Sequence, residues 1–186
     1  MKTILAFDTA TSFGAVCALT EPRRWGATER AGDLLLVVDE LVDDPAAVEG
    51  IVVGRGPGSF TSIRIGLAVA RSLALTLAIP VAGASTLDAY DSDAEPVIDA
   101  RRNEVFTRGP RVCRPDDVDA RGKTLVGDGA ILYREVFEAR GATVPPDDDP
   151  AHVPDPFLLV GRAGPFGAAE LVEPLYVRDP DAKPQA

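Results

Sequence analysis

One histidine, two cysteines and one tryptophan are all that 186 residues supply, and each shortage excludes something. With His152 alone, no histidine pair can hold a metal. A Ser-His-Asp set would rest wholly on that residue, and no nucleophile-elbow motif accompanies it. Cys17 and Cys113 are too few for a disulfide framework or a zinc cluster; Cys17 lies in an apolar strand pattern, where a buried thiol is expected. Basic residues are outnumbered 19 to 29, giving a net charge of −10. That balance argues against a phosphate-gripping surface of its own and assigns any contact with nucleic acid to a partner. No apolar run approaches the roughly 20 residues that span a bilayer, and the start, MKTILAFDTA, is interrupted at Asp8 too early for a signal peptide. The expectation is a soluble cytoplasmic protein with no membrane partner.

What remains is apolar and finely punctuated. Hydrophobic residues make up 46% of the chain, enough for a core in one domain or two small lobes. TILAF (3–7) and GAVCAL (14–19) read as strands around a turn rich in Asp, Thr and Ser, and GIVVG (50–54) as a third. Leucines and valines in TERAGDLLLVVDELV (28–42) follow helical spacing, and a long helix pattern from Ser59 to Ala78 stops before Pro80. PVA (80–82) is a short strand candidate, and TLDAY (86–90) a helix cut short. Strands alternating with helices place this half in the α/β class. After a boundary at DSDAEP (91–96) come strands PVIDA (96–100), EVFT (104–107) and KTLV (123–126), then a helix over 131–139. VPPDDDPAHVPDP (144–156), which holds His152, reads as exposed and irregular, and DPDAKPQA (179–186) as a loose tail.

The densest motif is GRGPGSFTSIRIG (54–66). It lacks the Lys-Ser/Thr pair of a P-loop and the third-glycine spacing of the dinucleotide fingerprint. Gly56-Pro57-Gly58 makes a tight turn that offers N–H groups at a helix start, which suits an anion. A strand-to-helix turn capped by Ser59 or Thr61 is the account the loop alone favours. In the helix that follows, Ile63, Leu67, Ala70, Ala74 and Leu77 form one apolar stripe; Ile65, Val69, Ser72 and Leu75 form a second. Arg64 and Arg71 make the ridge between them. Such a helix is wholly buried, or faces the core on one side and another protein on the other; both stay open. DTATS (8–12) is either a phosphate-contacting hairpin turn or a plain Asx turn. Asp39, Glu40, Asp43 and Asp44 read as a solvated helix face, and the acidic run 147–149 as exposed charge. Asp99, Arg101, Asn103 and Glu104 cluster at a further turn.

In order along the chain, ILAFDTAT, GRGPGSFTSIRIGLAVARSLAL…IPVAGASTLDA, VIDARRNEVF, LVGDGA and EPLYVR resemble the bacterial TsaB (YeaZ) family, partner proteins in the biosynthesis of threonylcarbamoyladenosine on tRNA. The resemblance implies the two-lobed α/β fold of actin, Hsp70 and the sugar kinases (ASKHA), each lobe a mixed sheet flanked by helices. It sets the first lobe at 1–93, with dimerisation helices, and a shortened second lobe at 94–186. It implies a non-catalytic scaffold that activates a TsaD-like transferase, with a TsaE-like ATPase joining, tRNA reached indirectly and a homodimer as an alternative assembly. No cofactor of its own is implied; weak ATP or ADP binding, or a nucleotide at the partner interface, stays open.

By position, Asp8, Thr9 and Thr11 match the family's first phosphate-type loop, and Arg55, Gly56, Pro57, Gly58, Ser59 and Gly66 its signature. Leu35, Val38, Phe60, Thr61, Arg64, Leu67, Ala70 and Arg71 are the expected partner interface. One departure stands out: where relatives carry a histidine before the second helix, this chain reads TERAGD. Two other functions are carried along, an ATP-dependent phosphotransferase using Asp8 and Thr11, and, weakest, a metallopeptidase-like protein.

Overall fold

A computed structural model describes residues 1–178; the acidic tail read at 179–186 lies outside them. Strands β1 (Ile4–Asp8), β2 (Ala15–Leu19) and β3 (Arg24–Thr28) are followed by helix α1 (Leu34–Leu41), β4 (Gly50–Gly54), α2 (Phe60–Leu77) and β5 (Val81–Ala84). The five strands form one sheet in the order β3-β2-β1-β4-β5. β1 and β2, and β2 and β3, pair antiparallel; β1, β4 and β5 run parallel.

β1, β2 and β4 are buried along their whole length. They are covered on both faces, so they read as unbroken apolar runs instead of alternating ones. Leu5, Phe7, Ile51 and Val53 face α1 and α2, meeting Leu34, Val37, Ile63, Leu67 and Ala70. Their neighbours Ile4, Ala6 and Val52 point to the other face and meet Leu159 of α5 (Pro156–Arg162). The result is three layers: two helices, a sheet, and a helix with the rest of the chain.

One sequence expectation needs correcting here. The helix expected over 28–42 begins at Leu34, because residues 24–28 form β3, which pairs with β2 through five residues. Its sequence RWGAT has neither apolar alternation nor a run, since it is an edge strand with Trp25 exposed. The helix expected over 59–78 holds. Ser59 caps it by accepting from the Ser62 N–H, and Ala78 ends it in the left-handed region. At 18 residues it is also long and apolar enough to cross a membrane by composition; one face lies on the five-stranded sheet as a core helix.

The second half carries β6 (Glu95–Pro96), β7 (Ile98–Asp99), β8 (Val105–Thr107), β9 (Arg111–Cys113), β10 (Leu125–Val126), α3 (Asp128–Leu132) and α4 (Arg134–Ala139). β10 pairs with β6, and β7, β8 and β9 make a three-stranded antiparallel sheet. The strand expected at 96–100 is therefore split between two sheets, and the helix expected at 131–139 is two short ones. Val97, Val105, Leu125, Ala130 and Phe137 form a core of their own.

The proline-rich stretch departs most from its expectation. His152 is fully buried. Its Nδ1 accepts from the Gly127 N–H at 3.1 Å, which leaves the proton on Nε2 to donate to the Pro145 carbonyl at 3.0 Å. The lone histidine is a clasp inside the fold. Beyond it, Asp155 caps α5 by accepting from the Phe157 N–H, with Pro156 at the first helical position. The chain then returns to the first sheet: Val81 and Gly167 form a bridge, and Val172 joins the α1–α2 core. The five-stranded unit thus takes in residues well past the boundary expected at 93.

Candidate functional site

The signature loop and the DTATS turn meet as one seam. Asp8, at the end of β1, is buried, and both of its carboxylate oxygens are engaged. Oδ1 accepts from the Ala10 N–H at 2.7 Å, and Oδ2 accepts from the Thr86 hydroxyl at 2.6 Å. Thr86 Oγ1 in turn accepts from the Gly56 N–H at 3.2 Å, so a relay runs from the signature loop to the carboxylate. Thr9 donates to the Ser62 carbonyl inside α2 at 2.7 Å, and the Ser59 N–H donates to the Ala10 carbonyl at 2.7 Å.

Close approach explains the glycines. A Cβ at Gly54 would lie 1.7 Å from Asp8 Oδ2, one at Gly58 2.2 Å from the Ala10 carbonyl oxygen, and one at Gly66 2.6 Å from Thr9 Oγ1. Gly56, at φ +99, precedes Pro57 through a cis bond. Asp8 and Thr9 therefore correct the expectation of a phosphate-facing loop: they are spent within the fold, and only Thr11 of the three lines open space.

Burial pushes the Asp8 carboxyl above its ordinary 3.8, with Asp128 adding to the rise and the bonds from Thr86 and Ala10 opposing it. An acid whose folded value is raised adds stability that is complete below the ordinary value and is lost as pH climbs through the raised one. Asp8→Asn keeps an acceptor for Ala10 and has no charge to desolvate. Denaturant unfolding between about pH 4 and 7 is expected to show the wild type losing stability relative to Asp8→Asn as pH rises. A constant difference across that range contradicts the assignment.

Beside the seam, a cleft of about 740 Å³ opens between the α2 start and the β7–β8 turn. Asp128 ties its two walls, accepting from the Ser12 N–H at 2.8 Å and from the Asp99 N–H at 2.9 Å. The Asp99 carboxylate pairs with Arg101 at 3.1 Å, and Arg101, Arg102 and Asn103 are all left-handed, with φ of 61, 57 and 57. The Asp99–Glu104 cluster is thus brought to the cleft rim, with Arg101 and Arg102 in the wall. Hydroxyls of Ser12, Ser59 and Thr61 line the opposite side. Beneath the site, the Tyr90 hydroxyl is buried with no hydrogen-bond partner among the described residues; burial, together with Asp128 and Asp8, raises its pKa well above 10.0. No three His, Cys, Asp or Glu side chains converge as metal ligands among those residues.

The expected partner interface divides. Leu35 and Phe60 are about half exposed, and Thr61 is exposed. Val38, Leu67 and Ala70 are core residues, a correction with a simple cause: they sit on the helix faces that meet the sheet. Arg64 and Arg71 are exposed but committed within the chain, Arg64 donating to Tyr176 Oη at 2.9 Å and Arg71 to the Val172 carbonyl at 2.9 Å. Of the second stripe, Leu75 is 83% exposed, and α1 adds Leu36 at 65%. Arg55 sits at the loop's inner edge, donating from its N–H to the Ala84 carbonyl. The sequence reading gave the last described segment, 172–178, no site role and used EPLYVR only for the family resemblance. EPLYVR carried no periodicity to announce it, yet Leu175 and Tyr176 complete the cleft wall.

A family model described as TsaD, tRNA N6-adenosine threonylcarbamoyltransferase, matches residues 33–133. An uncharacterised protein of Mycobacterium tuberculosis is 33% identical, the match covering 100% of this chain and 96% of that protein. The tRNA threonylcarbamoyladenosine biosynthesis protein TsaB of Bacillus subtilis is 38% identical over 38% of this chain and 35% of its own length. The solved structure of YeaZ from Pseudomonas aeruginosa superposes with a TM-score of 0.75 at 28% identity, covering 94% of this chain and 100% of that one. With this sheet order, this seam and these relatives, the chain belongs to the TsaB (YeaZ) family.

Proposed function

We propose that this protein is a non-catalytic partner subunit in the formation of threonylcarbamoyladenosine on tRNA, docking through the outer surface of α1 and α2 onto a TsaD-like transferase and activating it. The carrying observation is the contrast between two surfaces. Asp8 and Thr9 of the DTATS turn are turned inward and satisfied, while Leu36 and Leu75 stand out in water on the outer helices and Leu35 is half exposed. Large apolar side chains left exposed on both outer helices favour a protein interface there. On this reading the acidic chain leaves tRNA to its partner, a TsaE-like ATPase joins the assembly, and a second copy of the chain competes for the same helical face. The five-stranded sheet and the two smaller sheets, with their helices, are read as the two lobes of an ASKHA fold, the first formed by 1–93 together with the returning segment from 156, the second reduced to the small sheets.

The test is co-purification with the organism's own TsaD-like transferase, then a tRNA modification assay with each subunit alone and both together. Modification is expected only with both. Full transferase activity without this chain, or transfer by this chain alone, overturns the reading. The cleft, large enough for a nucleotide, favours a second reading as an ATP-dependent phosphotransferase. Calorimetric titration of the isolated chain with Mg-ATP separates the two, tight stoichiometric binding supporting the second.

A further inference from the structure

We propose that residues 172–178 are a releasable clasp across the cleft, binding the first turn of α2 to the β7–β8 turn opposite. The segment has no strand pairing and is held at separate points along its path. Arg71 donates to the Val172 carbonyl, and the Leu175 N–H donates to the Arg55 carbonyl at 2.7 Å. Tyr176 stacks on Phe60 with ring centroids 5.1 Å apart and planes 28° from parallel. Arg64 completes that contact, its guanidinium 3.8 Å from the Phe60 centroid and its Nε bonded to Tyr176 Oη. At the far end Arg178 crosses the cleft, donating to the Ala100 carbonyl at 3.2 Å and pairing with Glu104.

Three features make this a latch instead of a glued-down end. Past Val172, which packs in the α1–α2 core, its anchors are single hydrogen bonds, one aromatic contact and one ion pair between partly exposed side chains, each individually weak. They fall on both sides of the cleft, so losing them loosens its rims against one another, while Asp128 and the buried core shared by Ala6, Val52, Ile98 and Phe106 still join the two halves. The signature loop is also shaped to seat the segment: a Cβ at Gly56 would come within 3.1 Å of the Leu175 carbonyl oxygen, so glycine there serves the clasp as well as its own positive φ. Release frees Phe60 and Arg64 from Tyr176 and widens the cleft on that side.

Residue-resolved hydrogen exchange on the full chain tests this, comparing wild type with Tyr176→Ala, Tyr176→Phe and Arg178→Ala. Tyr176→Ala is expected to speed exchange of the Leu175 amide and of amides in the β7–β8 turn by about tenfold, as for loss of one aromatic pair and one hydrogen bond. Amides of β1 and β4 should be unchanged. Tyr176→Phe keeps the ring and loses only the bond from Arg64, so a smaller rise is expected; Arg178→Ala should speed the β7–β8 turn more than Leu175. Unchanged exchange at Leu175 in Tyr176→Ala overturns the clasp. So does an equal rise throughout β1 and β4, which would make Tyr176 an ordinary stabilising contact. Neither result bears on whether the outer helices bind a transferase.

Discussion

Gly54→Ala is expected to be among the most damaging single changes, although it adds one methyl group. The new Cβ would sit 1.7 Å from Asp8 Oδ2 and 2.6 Å from its Cγ. Asp8 cannot step aside cheaply, because Ala10 and Thr86 hold its two oxygens from opposite directions. The clash must be relieved by shifting β4 against β1 or by breaking the relay to Gly56. Overpacking and a lost buried hydrogen bond together cost about 3 kcal/mol or more, a fall in Tm of about 6–12 °C for a chain of this size. Gly109→Ala is the control: its φ is +70 but a Cβ there meets nothing within 4 Å, so only backbone strain of about 1–2 kcal/mol is added. Calorimetry on the two variants decides, and equal losses would mean that crowding at Asp8 is not what requires Gly54.

The second large effect concerns association. Leu75→Glu and Leu35→Glu are expected to leave stability within about 0.5 kcal/mol, since both side chains are largely in water. Each should weaken binding to a TsaD-like transferase by about 2 kcal/mol, roughly 30-fold, if it is an anchor of the interface. Leu67→Glu, on the same helix, is expected to unfold the protein, because its side chain lies in the core and an unpaired carboxylate there has no compensation. Calorimetric binding and thermal denaturation of the three variants separate the faces of α2. Undiminished binding by both Leu75→Glu and Leu35→Glu would remove the docking surface proposed for this chain.

The sequence is most legible where local rules and tertiary demands agree. β4 and α2 are found where glycine boundaries, the Ser59 cap and the Pro80 stop place them, because those signals act within a few residues. The split of α2 into two stripes is also readable; which residues of the stripes reach a partner is not. Leu67 and Ala70 look like Leu75 in composition, and only the sheet beneath them decides which side is dry. β3 was hidden because an edge strand need not bury either face completely. His152 was misplaced for the opposite reason: proline and aspartate around it signal exposure, while its own two ring nitrogens are satisfied by backbone groups brought from Gly127 and Pro145. For the site, the motif glycines were visible but their reason was not, since the atoms they accommodate, at Asp8, Ala10 and Thr9, lie about 50 residues away.

The return of α5 to the first sheet has a consequence for synthesis in the cell. β5, the last strand of that sheet, ends at Ala84, but the helix covering its second face spans Pro156–Arg162. A ribosome adding about 5–20 residues per second needs about 4–16 s to make the intervening chain. Throughout that interval Ile4, Ala6 and Val52 lack the Leu159 side chain they pack against. The nascent protein therefore passes through a stage in which that sheet face lacks its covering helix and relies on Leu87, Tyr90, Ile98 and Phe106 alone for cover, until translation has proceeded beyond Arg162.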